Sequence, residues 1–406
     1  MDAKARELAA NFDIEKLAGE FYADPYPTYR ALRQFEPAKR MPNGSYFLTR
    51  YDDLVSVYKN TKLFSSDKKK EFFPKYGASL LYEHHTTSLV FNDPPAHTRV
   101  RRLIMGALSP RAIAEMEGEL IALVDRLLAK LSAKAEVDLI EDYAAAIPIE
   151  VIGNLLGVPR EERHPLRGWS LAILGALEPV IGAEAFDRGN TAVRDFLAYL
   201  ETLVARRRER PGNPERDVLT RLIQGEDNGE RLSEKELLHN CIFLLNAGHE
   251  TTTNLIGNGL VALWENPDQK QRLIENPQLI KTAVEEILRF ESSNQFGNRM
   301  TTGRVELGGV TMEEGTSLTL CIGAANRDPL QFENPETFDI TRNPNRHLAF
   351  GSGAHQCAGM ALARLEGSVA ISRFLQKFPA FALKGSPVRG GRARFRGFSS
   401  VPCSIG

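Results

Sequence analysis

One stretch constrains this chain before any other. From Ser233 to Pro267 no proline interrupts the sequence, and Ser233 with Glu236 supplies the S-x-x-E pattern that caps a helix start. That predicts one helix of about 33 residues, roughly 50 Å long at ~1.5 Å per residue. Its middle, Cys241-Ile242-Phe243-Leu244-Leu245, is apolar on nearly every side, so the helix runs through the protein and not over its surface. Other helices must wrap around it, and a buried helix of this length can wall a deep pocket.

The rest of the chain supplies such helices. Met116 to Leu131 and Arg194 to Arg210 carry apolar residues at helical spacing, the second closing on a solvated Arg206-Arg207-Arg208 run before Pro211-Gly212-Asn213-Pro214. A further helix is predicted from Gln278 to Phe290. Strand patterns are few: Tyr46 to Arg50, Arg304 to Thr311 and Thr316 to Ile322, the last two read as a hairpin about Glu313-Glu314-Gly315. With no internal repeat or long linker, the fold class is mainly α with minor β sheets in one body.

Composition removes several functions. The 51 Lys+Arg and 52 Asp+Glu leave a net charge of −1, which gives no general attraction for nucleic acid or anionic membrane. The longest apolar runs, 143–158 and 171–183, are broken by Pro148, Glu150, Asn154, Glu178 and Pro179, short of the ~20 clean residues of a membrane span. Cys241, Cys321, Cys357 and Cys403 lie far apart, and the start Met1-Asp2-Ala3-Lys4 has no apolar signal segment. The expectation is a cytoplasmic protein with free thiols and no membrane or nucleic-acid partner.

Two segments carry chemistry. In Phe350-Gly351-Ser352-Gly353-Ala354-His355-Gln356-Cys357-Ala358-Gly359, the glycines permit tight turns and leave amide N–H groups free to point at the sulfur. The helix predicted from Met360 to Phe374 aims its positive end back at Cys357, which suits a thiolate. Gln356 stands where a dinucleotide fingerprint needs glycine, so that motif fails, and a structural thiol stays open. The second segment, Ala247-Gly248-His249-Glu250-Thr251-Thr252, lies in the long helix. Small side chains at Ala247 and Gly248 make room for something packed there, and an acid beside an alcohol can relay protons. The alternative is a tight helix crossing with a back-bonded threonine. Thr253 excludes the zinc-protease pattern begun by His249-Glu250.

Three weaker signals remain. Glu286 and Arg289, at i and i+3, mean little if exposed. His97 and Arg101 share a helix face after Asp93-Pro94-Pro95, with Asp93 as the expected cap, and offer two donors to a pair of carboxylates. The arginine-rich run Arg389 to Gly397 reads as a surface turn, not an RNA-binding patch.

In this order and spacing the motifs resemble the cytochrome P-450 family, haem-thiolate monooxygenases of the soluble bacterial type. The resemblance extends from Asp24-Pro25-Tyr26-Pro27 to the C-terminal region. It implies the cytochrome P-450 fold as a single domain over residues 1–406, with the long helix over haem b (iron protoporphyrin IX) and Cys357 as the iron ligand. It further implies Glu250 and Thr251 at the oxygen site and Glu286 with Arg289 as a buried structural pair. His97, Arg101, Arg299 and His355 match positions that hold the haem propionates, with Ala247, Gly248, Phe350 and Gly351 also against the cofactor. One departure is that Glu291-Ser292-Ser293-Asn294-Gln295 lacks the proline often found in the family after the E-x-x-R helix.

The implied activity is insertion of one oxygen atom from O2 into a small to medium hydrophobic organic substrate. No flavin or nicotinamide segment is visible, so electrons come from a separate ferredoxin and its reductase, docking where Arg102 and Arg364 offer charge, on a monomer. A peroxide-driven oxygenase, a coupling or desaturating haem enzyme, and a non-catalytic haem sensor remain alternatives. The pocket is expected to be lined by Phe243, Asn246, Ala247, Gln295 and Phe296, under a mobile loop carrying Phe72, Phe73, Leu81 and Tyr82.

Overall fold

The structure, a computed structural model, describes residues 2–134, 136–214, 217–225 and 231–405. The long helix is present as Glu234–Glu265, 32 residues, opened by a complete capping box: Ser233 accepts from the Glu236 N–H and the Glu236 carboxylate accepts from the Ser233 N–H. It is buried over most of its length and packs against Ala146–Leu155, Leu166–Gly175, Ala183–Glu209, Ile280–Phe290 and Met360–Lys377. Within the apolar stretch at 241–245, Cys241, Ile242 and Leu245 are buried and Phe243 and Leu244 half-buried, which suits a helix running through the protein.

Helix identities agree with the sequence, while boundaries shift. Pro110–Leu131 begins six residues before the apolar pattern does, because Ser109 caps it by accepting from the Ala112 N–H. The hairpin lies elsewhere than expected. Val305–Leu307 pairs with Val310–Met312 around Gly308 and Gly309, both at positive φ, and Ser317–Cys321 belongs to a different sheet. There it lies parallel to Tyr46–Leu48 and antiparallel to Phe296–Thr301. Two adjacent glycines that tolerate a left-handed backbone outcompete Glu313-Glu314-Gly315 as the turn.

The segment expected as a mobile loop is two helices, Lys69–Tyr76 and Leu80–Thr87. Leu81 is fully buried there, its N–H donating to Asn190 Oδ1 on Ala183–Glu209. Phe72 is buried as well, and Phe73 is exposed. Among the described residues no helix is long and apolar enough to cross a membrane.

Candidate active site

The Cys357 loop is shaped by close packing. Gly353 sits at φ +69°, and a Cβ there would lie 2.3 Å from the Tyr58 carbonyl oxygen. Gly351, at φ +64°, turns the chain so that the Cys357 N–H reaches the Phe350 carbonyl at 2.9 Å. The helix Met360–Lys377 starts directly behind, with the Gly359 N–H directed at the sulfur. Burial pushes the Cys357 thiol up, while the Gly359 N–H, Arg101 and Arg364 oppose it. The side chain is nevertheless exposed. A sulfur reached by solvent yet ringed by protein lies in a concave site. Among the described residues no three of His, Cys, Asp and Glu converge as a bare metal site. Cys357 thus offers one thiolate, which suits an iron whose other ligands come from a macrocycle.

The four residues matched to the propionates are brought together. His97, on Ala96–Ala107, stacks on His355 at 3.8 Å between ring centroids. Both His97 nitrogens and His355 Nε2 are buried without a hydrogen-bond partner. Burial takes His97 down to about 4, with Arg101 and Arg299 adding to the effect. His355 is taken down to about 2 by burial and then by Arg299, His97 and Arg101. Among the described residues Arg299 donates to its neighbour's carbonyl, Asn298 O, and Arg101 donates to Gln356 O. Two cations and two imidazoles with orphaned nitrogens, beside a cysteine loop, are a donor set for two carboxylates. The residues present therefore fit a haem. Asp93 is not the helix cap; its carboxylate accepts from Ser65 Oγ and the Ser66 N–H.

Across from this loop the long helix changes character. Ala247 is exposed and Thr251 half-buried, while Leu245, Asn246, His249 and Glu250 are buried. Exposure midway along a through-running helix marks an interior opening. Gly248 serves a different purpose from the one expected. A Cβ there would sit 2.1 Å from Ile152 Cδ1, so its missing side chain admits the neighbouring helix. Thr251 Oγ1 donates to the Ala247 carbonyl at 2.7 Å, the back-bonded arrangement. Glu250 accepts two hydrogen bonds from one Arg392 nitrogen, at 2.7 and 2.6 Å. Burial pushes the Glu250 carboxyl up to about 7, with Arg392 opposing and Glu178 adding.

Arg392 corrects the reading of the 389–397 run. Arg392, Arg394 and Arg396 are internal anchors: Arg392 also donates to Leu171 O, Arg394 to Leu177 O and Phe296 O, and Arg396 to Glu291, Tyr22 O and Ala23 O. Asn258, eight residues after Glu250 on the same helix face, donates to Arg396 O. The available signal was the alternation Arg392-Ala393-Arg394-Phe395-Arg396, which is a half-buried extended pattern.

Of the expected pocket residues, Phe243 is half-buried and Asn246 is buried with neither amide atom hydrogen-bonded. Gln295 and Phe296 do not join them. Gln295 donates to Ser292 O and packs its Oε1 onto Gly323 beside Tyr29. Phe296 meets Phe47 in the aromatic core formed by the N-terminal helices. Their neighbour Asn294 is half-buried, its Oδ1 without a hydrogen-bond partner, and Ser293 Oγ and Gln295 Oε1 also lack one.

The Glu286–Arg289 pair is fully buried and bidentate, at 2.8 Å for both bonds. Arg289 also holds Asn326 O, Pro335 O and Thr337 O, and Glu286 takes Arg342, Asn345 and the Asp339 N–H. The exposed reading therefore fails, because the 335–345 segment folds over the pair. Arg364 is no free docking charge: both its bonds, 2.7 and 2.8 Å, go to Glu285.

A cysteine loop at the start of Met360–Lys377, with a four-residue donor cluster beside it, fits the site of a haem-thiolate oxygenase. The comparisons agree. The family description "Cytochrome P450" matches residues 174–389. A biotin biosynthesis cytochrome P450 of Bacillus subtilis (strain 168) is 36% identical, covering 90% of this chain and 92% of its own. A vitamin D(3) 25-hydroxylase of Pseudonocardia autotrophica is 37% identical over 96% of both chains. The crystal structure of P450BioI with a hexadec-9Z-enoic acid ligated acyl carrier protein superposes with TM-score 0.90 at 35% identity, covering 95% of this chain and 99% of that one. This chain belongs to the cytochrome P450 family and is a haem-dependent oxidoreductase of the monooxygenase kind.

Proposed function

We propose that residues 1–406 act as one domain, a monomeric cytoplasmic monooxygenase. It would carry haem b, take electrons from a ferredoxin-type donor and its reductase, and oxidise a small to medium, largely apolar organic substrate. The four unpaired cysteines support a reducing compartment. The observation that carries the reading is the cluster of His97, Arg101, Arg299 and His355 beside the Cys357 loop, in which the buried His97 nitrogens and His355 Nε2 have no hydrogen-bond partner.

When bound, the haem supplies oxygen activation, its iron made electron-rich by the Cys357 thiolate. The chain does the rest. His97, Arg101, Arg299 and His355 would hold the propionates, with Phe350 and Gly351 shaping the cysteine loop. Ala247 would leave room for the group beside the long helix. Thr251, whose hydroxyl donates to Ala247 O, would hold a proton at its Oγ1 facing the interior opening, with Glu250 as the reservoir behind it. Arg392 fixes the orientation of that carboxyl, and Phe243 and Asn246 hold the substrate. The acid and alcohol together favour a monooxygenase over a peroxide-driven enzyme or a sensor.

Thr251→Ala tests this. With a surrogate ferredoxin and reductase, product per O2 consumed should fall at least about tenfold while hydrogen peroxide release rises. An unchanged product-to-oxygen ratio would overturn the proton-delivery role.

A further inference from the structure

Lys75, Arg394 and His85 form a cationic cluster that the mechanism above does not use. Lys75, on Lys69–Tyr76, donates to the Glu178 carbonyl at 2.6 Å. Arg394 donates to Leu177 O at 3.1 Å, Phe296 O at 3.0 Å and Asn298 Oδ1. All four acceptors are neutral, and among the described residues neither cation makes an ion pair. The nearest carboxylates are engaged elsewhere. Glu178 accepts the N–H groups of Ala393 at 2.9 Å and Arg394 at 3.3 Å, and Glu71 is held by Lys68 at 2.6 Å and Ser317 at 2.9 Å. Glu178 and Glu71 offset part of both charges from nearby, but among the described residues neither carboxylate contacts the Lys75 ammonium or the Arg394 guanidinium directly, so both keep donors for a ligand carboxylate.

His85 adds an orphaned donor. Its ring is 2% exposed, packed against Tyr76 and Phe72, and its Nε2 has no partner. Lys75 and Arg394 both act on it and, after burial, help keep it neutral. The cluster's place is informative. Arg394 bonds the strand that carries Arg299, and Arg392, two residues before it, grips Glu250. Residues 392–394 therefore tie the strand that carries Arg299 to Glu250 on the long helix, and Lys75 stands over the ring of Tyr76, which packs on Phe72 and through it on Phe91.

We infer that Lys75, Arg394 and His85 bind the carboxylate of the substrate, so that the enzyme takes an organic acid with an apolar body. This rests on the monooxygenase reading only for what happens to the acid after it binds. The Arg394 guanidinium and Lys75 ammonium supply charge-assisted hydrogen bonds, His85 Nε2–H supplies a neutral one, and these aromatic rings take the first carbons of the chain.

The test uses the holoenzyme titrated with dodecanoic acid and with 1-dodecanol, followed by calorimetry and by the Soret spin-state shift. The acid should bind at least about tenfold more tightly than the alcohol. Lys75→Gln should remove most of that preference, Lys75→Arg should restore it, and alcohol affinity should stay unchanged in both. Arg394→Gln should act like Lys75→Gln wherever it retains wild-type haem content. Equal affinities for acid and alcohol would overturn the inference. So would haem loss in Lys75→Gln with acid affinity intact, which would assign the cations to a propionate. Acid preference by calorimetry in a protein without a haem-thiolate spectrum would sink the monooxygenase reading and leave this one standing.

Discussion

At the scale of single residues, the Glu250–Arg392 contact sets when a proton is available. Burial holds the carboxyl at about 7, so its protonated fraction falls as pH rises through neutrality. If that proton feeds the oxygen site, product formed per O2 consumed should fall across the same interval. Arg392 lowers the carboxyl, so Arg392→Gln should move the midpoint to higher pH, and Glu250→Gln should flatten the profile. A profile unaltered by both variants would show that Glu250 does not supply the proton. The acid and the alcohol were legible in A-G-x-E-T, but the partner was not, because Arg392 lies 142 residues away along the chain. Gln295 and Phe296 were misplaced for a related reason. Their directions follow from packing against Gly323, Tyr29 and Phe47, which no local pattern reports.

Elements were read more securely where the sequence carries its own punctuation. Ser233 and Glu236 at one end and Pro267 at the other located the long helix to within two residues. The segment at 69–87 read as loop because Pro74 interrupts it, although Gly77 closes one helix and Ser79 caps the next by accepting from the Tyr82 N–H. The cysteine loop shows what an element demands of its residues. Gly353 is needed for both its backbone angle and its approach to Tyr58, whereas Gly359 has φ −88° and open space at its Cβ position. Gly353→Ala should therefore cost more than the 1–3 kcal/mol or so of backbone strain alone, with reduced haem incorporation and a lower melting temperature. Gly359→Ala should behave nearly as wild type. Equal effects of the two variants would contradict this account of the loop.

Across the whole molecule, the E-x-x-R pair joins the helix behind the haem site to the 335–345 segment that leads into the cysteine loop. Glu286→Ala leaves the Arg289 charge buried and uncompensated, a loss of about 3–5 kcal/mol in comparable pairs, and should destabilise chain and haem site together. Stability within about 1 kcal/mol of wild type would mean that the network does not organise the fold. Its architecture as a mainly helical body was readable from patterning. Burial of this pair was readable only through family resemblance, because i, i+3 spacing alone describes surface pairs equally well. The proposed function depends on Cys357 serving as the iron's ligand. The direct test is the absorption spectrum of the dithionite-reduced protein under carbon monoxide, beside that of Cys357→His. A strongly red-shifted Soret band in the wild type, absent from the variant, is the expected result. A band indifferent to Cys357, or no haem band in protein purified with haem available, would contradict the assignment of this loop as the thiolate site.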